Sequence, residues 1–198
     1  MALLDWMTPE SSLTVAGELV RLRPPRARDY PAWTDLRRQS REFLQPWEPA
    51  WPADDLSRPA FRRRLSAYGR ELDLGAAYPF FVFRARDDVL VGGVTLSNVR
   101  RGVAQMATVG YWVGAPFARQ GFTLAAVKEA TLFAFETLGL HRLEAACVPE
   151  NERSHALLLK AGFLPEGRAS AYLKINGVWR DHLLFGMVAS AEGRPTSR

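Results

Sequence analysis

The hydrophobic positions along the chain change period several times, and each change marks the end of one predicted element. Apolar residues alternate or run continuously in seven extended segments, which predict strands at 18–23, 78–85, 89–97, 104–113, 142–148, 163–175 and 178–188. They recur at helical spacing in four other segments, which predict helices at 27–39, 57–72, 121–138 and 152–160. The predicted order is therefore β-α-α-β-β-β-α-β-α-β-β.

Glycine and proline mark the breaks between these elements. Asn176 and Gly177, between the last two strands, are typical of a type I′ hairpin because both residues tolerate positive φ. Gly139 is placed to end the helix before it. Three prolines exclude a continuous helix through 43–52, so this segment is predicted to be an ordered loop that carries two tryptophans.

The order of elements predicts the fold. Three consecutive strands over 78–113 indicate an antiparallel meander, and the strand–helix–strand unit over 104–148 indicates a right-handed parallel crossover. We therefore expect an α/β (α+β) fold in which a mixed, mostly antiparallel sheet of about seven strands is flanked by about four helices. One domain is predicted over 17–190, with flexible segments at 1–16 and 191–198.

Composition narrows the class of protein. A chain of 198 residues, 47% of them hydrophobic, can bury one core without a disulfide or metal to hold it. Cys147 is the only cysteine, which excludes an intramolecular disulfide and favours a reducing compartment. No signal-like or membrane-spanning stretch is evident, so we expect a cytoplasmic protein that does not contact a membrane. His141, His155 and His182 lack ligand spacing, so no metal is expected.

The charge is basic, with 26 lysines and arginines against 21 acidic residues, and only three of the 26 are lysine. An arginine-rich, lysine-poor chain most often reflects genome base composition, and an anionic ligand or partner is the functional alternative. The run Arg62–Arg64 falls in a predicted helix and is most simply a solvated face. Because no nucleic-acid-binding motif accompanies the charge, direct nucleic-acid contact is not expected.

The segment Gly110–Thr123 predicts a strand that enters a helix through a short loop. The first N–H groups of a helix have no intrahelical acceptor, and the helix dipole adds positive potential there, so such a loop favours anions. Gly121 would let a phosphate approach the backbone closely. A glycine before a helix is more often a turn or packing residue, so this feature alone does not identify a phosphate site.

The same segment resembles the pyrophosphate loop of the GNAT superfamily of acetyl-coenzyme A-dependent N-acetyltransferases, which has the form Arg/Gln-x-x-Gly-x-Gly/Ala. Alignment on Gly121 places Ala118 at the first motif position and Thr123 at the last, so both ends depart from the pattern. The resemblance implies that coenzyme A is bound, mainly by backbone amides, at Arg119, Gln120, Gly121, Phe122 and Thr123.

A second signature lies in the last third of the chain. Asn151 is followed three residues later by Ser154, and then come Lys160-Ala161-Gly162-Phe163, Glu166-Gly167 and Asn176-Gly177-Val178-Trp179-Arg180-Asp181-His182. This combination is similar to the ribosomal-protein-alanine N-acetyltransferases of the RimJ and RimL type. The resemblance covers about 17–188.

In this family the fourth and fifth strands splay apart and the acyl-pantetheine arm enters the gap. That implies coenzyme contact at Tyr111, Trp112 and Val113, although the first two side chains also fit core positions on the two faces of a sheet. The Val113 amide is the candidate donor to the thioester oxygen. The resemblance also implies that Ser154 protonates the leaving thiolate and that Asn151 contacts pantetheine; both residues equally fit a helix-capping role.

The general base is harder to assign, because RimL-type enzymes carry a glutamate where this chain has Leu173. Glu48 is the candidate substitute, since the loop between the first two helices forms a substrate wall in such folds; it also fits an exposed loop carboxylate. Acceptor binding is predicted at Trp47, Glu48 and Asp181. His182 and Asp181 are secondary candidates for the base, although such residues more often form hydrogen bonds within a sheet or hairpin. Cys147 is expected to be an inert buried thiol.

The predicted function is transfer of an acetyl group from acetyl-coenzyme A to a primary amine by direct attack in a ternary complex. The resemblance implies the N-terminal alanine of a ribosomal protein as the leading acceptor. An α-amine with a pKa of about 7.7–8.0 needs only a modest base. A small-molecule amine acetyltransferase and a non-catalytic coenzyme A-binding module are the alternatives. The expected partners are acetyl-coenzyme A and a protein N-terminus, with the chain a monomer or a homodimer.

Overall fold

The computed structural model describes residues 13–190 of the chain. The strands within this range are β1 (Val15–Ala16), β2 (Val20–Arg23), β3 (Tyr78–Arg84), β4 (Leu90–Arg100), β5 (Met106–Val113), β6 (Arg142–Cys147), β7 (Leu164–Ile175) and β8 (Val178–Val188). They form one sheet in the order β1-β2-β3-β4-β5-β6-β8-β7. All seven predicted strands are confirmed, and the eighth is β1, which is too short to show a period. Of the predicted flexible segments, residues 1–12 and 191–198 lie outside the described range.

The helices are α1 (Tyr30–Gln39), α2 (Arg41–Leu44), α3 (Arg58–Asp73), α4 (Phe122–Leu132) and α5 (Glu152–Ala161). The predicted helix over 121–138 is regular only to Leu132, and a π-helical turn completes it. The predicted loop over 43–52 starts with the end of α2 and a 3-10 turn at Gln45–Trp47, because a proline at the start of a helical turn loses no hydrogen bond. No helix within 13–190 is long and apolar enough to cross a membrane.

The predicted parallel crossover is confirmed. β5 and β6 are parallel and α4 connects them, whereas every other pair of neighbouring strands in the sheet is antiparallel. Because α4 connects these two strands, the loop that leads to its N-terminus starts where β5 ends. This places the loop singled out in the sequence next to the centre of the sheet.

Alternation along β3 gives the sheet two packed faces. Phe80 and Val82 pack into a core with α4 and α5, whereas Phe81 and Phe83 pack into a second core with Trp33 of α1 and Phe61 of α3. The described part of the chain therefore has a layer of helices on each side of one sheet.

β5 and β6 pair over a short distance only. Their paired residues are Met106 with Arg142, Ala107 with Leu143 and Thr108 with Glu144. Beyond them β5 stays paired with β4 up to Val113, and β6 stays paired with β8 up to Cys147. The two strands separate after three residue pairs, which confirms the splay expected between the fourth and fifth predicted strands.

Candidate functional site

The gap between β5 and β6 brings Tyr111 and Ser154 together. Tyr111 lies near the end of β5, Ser154 lies in the first turn of α5, and their hydroxyl oxygens are 2.8 Å apart. Burial raises the pKa of Tyr111 well above its ordinary value, although the Ser154 hydrogen bond acts in the opposite direction. The phenol is therefore protonated at neutral pH and can donate its hydrogen to Ser154.

Asn151 caps α5 and leaves the Ser154 hydroxyl free for this contact. Its side-chain oxygen accepts a hydrogen bond of 3.1 Å from the Ser154 backbone N–H. The capping interaction thus uses the Ser154 backbone, while the Ser154 side chain turns to Tyr111. Asn151 has the capping role that the sequence left open, and its predicted pantetheine contact stays a prediction.

Cys147 lies beside the same pair at the end of β6. It is a free, buried thiol, and burial raises its pKa, with a smaller opposing effect from a Ser154 hydrogen bond. A protonated thiol is a weak nucleophile, so this environment fits the expected inert role.

The backbone of β5 presents open polar groups to the gap. The Gly114 N–H donates to Val91 of β4, 2.9 Å away, so the hydrogen-bonding groups of the preceding residue, Val113, point the other way, toward β6. β6 no longer pairs with β5 at this level. The Tyr111 and Trp112 side chains pack against the cores on opposite faces of the sheet, the alternative that the sequence analysis gave for them. Val113 therefore offers its main-chain groups to the gap.

The glycine loop, residues 114–121, connects β5 to α4. Arg119 and Gly121 have φ values of 64° and 85°, and no side chain caps the N-terminus of α4. Arg119, Gln120 and Gly121 are exposed, whereas the Phe122 side chain is buried and leaves only its backbone for a ligand. Exposed N–H groups at the positive end of a helix dipole form an anion site. Thr123 is half-buried in the first turn of this helix.

The tryptophan loop, residues 45–51, holds Glu48 in a network of donors. Arg37 of α1 donates to both Glu48 oxygens, at 2.7 and 2.6 Å, and the Trp51 indole N–H donates to one of them at 2.8 Å. Trp47 is half-buried in the same loop. Three donors leave little acceptor capacity on this carboxylate. The contacts favour a holding role for Glu48, and its predicted role as a base stays a prediction.

Asp181 is held within the last hairpin. One carboxylate oxygen accepts from the Ala171 N–H at 2.9 Å, and the other binds Arg168 at 2.7 Å. The Ala171 hydrogen bond and then the Arg168 guanidinium lower the pKa of Asp181. His182 is buried, with Nδ1 3.0 Å from the Arg180 carbonyl oxygen. Both residues thus make the hairpin contacts that the sequence left open as their alternative role.

The sequence interpretation missed Arg37 and Ser40. Both are buried, Arg37 on α1 and Ser40 at its C-cap. Arg37 follows Trp33 by four residues, on the face of the helix that packs against the sheet. An arginine on a buried helical face was the signal that could have identified it. In the run Arg62–Arg64, Arg62 and Arg63 are exposed as predicted. Arg64 departs from the prediction, because it is half-buried, pairs with Asp55 and lies over the Trp33 ring.

Among the described residues, no group of three or more histidine, cysteine, aspartate or glutamate side chains is arranged to hold a metal ion. The groups described above at the gap are the Tyr111 and Ser154 hydroxyls and the Val113 backbone. Together, the Tyr111–Ser154 pair and the Val113 backbone offer a proton donor and an N–H donor to a ligand that enters between the strands.

Comparison with known proteins identifies close counterparts. Residues 20–164 match the acetyltransferase (GNAT) domain family. The chain is 33% identical over 178 residues to the ribosomal protein uS5-alanine N-acetyltransferase of Escherichia coli, covering 89% of this chain and 90% of that protein. It is 34% identical over 172 residues to the probable N-acetyltransferase YjcK of Bacillus subtilis, covering 87% and 95%. A solved structure of Mycobacterium smegmatis RimJ in complex with CoA-disulfide has a TM-score of 0.83 and 36% identity, covering 93% of this chain and 87% of that one.

Proposed function

The chain belongs to the acetyltransferase (GNAT) domain family and is an N-acetyltransferase, and from this premise we propose that it acetylates the N-terminal α-amine of a protein. The leading acceptor is an N-terminal alanine of a ribosomal protein, since the Escherichia coli relative is named for that substrate. The observation that carries the proposed reaction is the hydrogen bond between Tyr111 and Ser154 at the open edge of β5.

The residues at the gap fit acetyl-coenzyme A as the acetyl donor. Val113 would pair with the pantetheine arm through main-chain groups that no strand of the sheet uses. The backbone N–H groups of the exposed residues Arg119–Gly121 and of the uncapped first turn of α4 would hold the pyrophosphate. The complex of Mycobacterium smegmatis RimJ with CoA-disulfide supports a ligand of this class.

The proposed reaction is a direct transfer. The neutral amine attacks the thioester carbonyl carbon, and the carbon–sulfur bond breaks as the carbon–nitrogen bond forms. The Val113 N–H donates to the carbonyl oxygen as negative charge develops there. Ser154 gives its hydroxyl proton to the leaving sulfur, and the Tyr111 O–H donates to the Ser154 oxygen. The amine loses its own proton to solvent, and Ser154 regains one from solvent, so the products are an amide and a free thiol.

The acceptor would enter beside the tryptophan loop and the tip of the last hairpin. These two segments touch, because the Asn176 N–H donates to the Glu48 carbonyl oxygen at 2.8 Å. An α-amine is partly neutral near pH 7, whereas a lysine amine with a pKa of about 10.4 is almost wholly charged. A site without a strongly activated base therefore favours an α-amine over a lysine side chain.

The test is a mass-shift assay with acetyl-coenzyme A and three acceptors: an alanine-starting peptide, the same peptide blocked at its N-terminus with one internal lysine, and a polyamine. We expect acetylation of the free alanine N-terminus only. Acetylation confined to the polyamine would replace the proposal with a small-molecule acceptor. Coenzyme A binding without turnover on any acceptor would replace it with a binding module.

A further inference from the structure

The last turn of α1, together with its C-cap residue Ser40, contacts both loops of the proposed site. On one side, Arg37 binds Glu48 in the tryptophan loop. On the other side, the fully buried Ser40 accepts a hydrogen bond of 2.8 Å from the Ala115 N–H in the glycine loop. Leu36 also packs against Gly114 so closely that a β-carbon at that position would overlap its side chain. One helical turn thus links the two loops.

Arg37 occupies a site built for a planar cation. Its side chain is 9% exposed, and its guanidinium carbon lies 4.1 Å from the Trp51 ring centroid and 5.0 Å from that of Trp112. Gly93 lies opposite Trp112 on β4, where a β-carbon would overlap the indole. An ammonium group can neither stack between two rings in this way nor donate to both oxygens of a carboxylate in one plane, so lysine is not equivalent here.

Glu48 connects α1 and the tryptophan loop to the last hairpin. Its side chain joins Arg37 of α1 to Trp51, and its backbone carbonyl accepts the N–H of Asn176 at the tip of the last hairpin. If Glu48 accepted a proton from a substrate amine, it would weaken the ion pair that holds Arg37, a buried cation with no other carboxylate partner in the described chain. The geometry therefore opposes proton transfer to Glu48.

We propose that Arg37 and Glu48 are positioning residues, which fix the tryptophan loop against the last hairpin for the acceptor amine, and that Glu48 does not take the amine proton. The inference rests on the proposed function, because it assigns these residues to the acceptor side of the site. Loss of either residue then weakens acceptor binding while the coenzyme side, which Ser40 and Leu36 hold, is retained.

The first test compares Arg37→Lys, Glu48→Gln and the double variant in the peptide assay. Each single variant should raise the KM for the alanine peptide by about tenfold, with the KM for acetyl-coenzyme A nearly unchanged, and the double variant should be no worse because both changes remove one shared contact. Arg38→Lys is the matched control, since Arg38 is exposed and pairs with Asp35 at the surface. Calorimetric coenzyme A binding confirms that each variant is folded.

The pH profile separates positioning from proton transfer. Glu48→Gln should keep the acidic limb of the kcat/KM profile, as should Arg37→Lys. If Glu48→Gln flattens that limb and Arg37→Lys does not, Glu48 is the base and the inference is overturned. Additive losses in the double variant would also overturn it, because independent residues would then be acting.

A second measurement does not depend on the acceptor. Hydrogen exchange at the Asn176 amide reports its bond to the Glu48 carbonyl oxygen, and it should accelerate in Arg37→Lys but not in Arg38→Lys. Faster exchange in a protein that fails to acetylate the alanine peptide would retain the positioning role and reject the proposed acceptor. Unchanged exchange would overturn the positioning role even if the peptide is acetylated.

Discussion

Tyr111 and Ser154 are joined by a hydrogen bond of 2.8 Å beyond the point where β5 and β6 stop pairing. Separate contacts position the two residues: Tyr111 packs against the core around β5, and the Asn151 cap binds the Ser154 backbone N–H. The hydroxyl pair is therefore ordered by the fold itself and needs no ligand to assemble it. A preassembled proton donor loses less orientation entropy when the reaction occurs.

The first prediction concerns Ser154→Ala. If the Ser154 hydroxyl protonates the leaving sulfur, kcat should fall by about 100-fold, the lower end of what general acids contribute. Coenzyme A affinity should stay the same, because the interaction is made in the transition state. Ser66→Ala, at an exposed position of α3, is the control. Full turnover in Ser154→Ala would assign the residue to a structural role.

Tyr111→Phe removes only the hydroxyl that contacts Ser154. We expect about a tenfold loss of kcat, the equivalent of one hydrogen bond. Because burial raises the Tyr111 pKa above its ordinary value of 10.0, wild-type rates should show no Tyr111 ionisation between about pH 6 and pH 10. A limb in that range that disappears in Tyr111→Phe would contradict this environment. Tyr30→Phe, which loses a hydroxyl bonded to the Leu56 carbonyl, is the control.

Gly121→Val tests the glycine loop. Gly121 has a φ of 85°, so valine should cost about 1–3 kcal/mol of folding stability through backbone strain alone. Gly102, with a φ of 63° and open space around it, is the matched position outside the loop, so Gly102→Val should show a similar loss of stability. Only Gly121→Val should weaken coenzyme A binding, by about tenfold or more in calorimetry. Equal coenzyme A affinity in the two variants would show that the glycine loop does not bind the coenzyme.

Asp181→Asn separates a hairpin role from an acceptor role. The Ala171 N–H and the Arg168 guanidinium hold the pKa of Asp181 below its ordinary value, so its contribution to stability is complete above the unfolded pKa of about 3.9 and is lost as the pH falls through the folded value. As the pH drops below about 5, the midpoint temperature of thermal unfolding should therefore fall more steeply for the wild type than for Asp181→Asn. Asp73→Asn, at the end of α3, is the control. A large rise in the peptide KM would instead support the predicted acceptor contact.

Local chemistry made much of the fold predictable. Asn176 and Gly177 both have positive φ, as the type I′ hairpin requires, and Gly139 has a φ of 63° just after the helical segment that it was predicted to end. The parallel crossover followed from a strand, a helix and a strand of sufficient length. In each case residues close in sequence determine the local structure, so the residue pattern alone is enough to predict it.

The candidate site was less predictable, because its contacts join distant elements. Nothing near Glu48 in the sequence indicates that Arg37 of α1 binds its carboxylate or that Asn176 of the last hairpin binds its carbonyl. Likewise, the spacing of Asn151 and Ser154 allowed either a cap or a site residue, and only the position of Tyr111 shows that the Ser154 hydroxyl turns into the gap. Tertiary packing supplies what these residue patterns leave open.

The short pairing of β5 with β6 also has a consequence for how the molecule assembles. The strands on one side of the β5–β6 boundary come from residues 15–113, and those on the other side come from residues 142–188. Each half of the sheet is therefore continuous in sequence. Three residue pairs of backbone contact cannot hold the halves together alone. Side chains of α4 and α5 pack in one core with both halves of the sheet, and this packing stabilises their association. During synthesis, the first half can therefore form before the second half docks onto it.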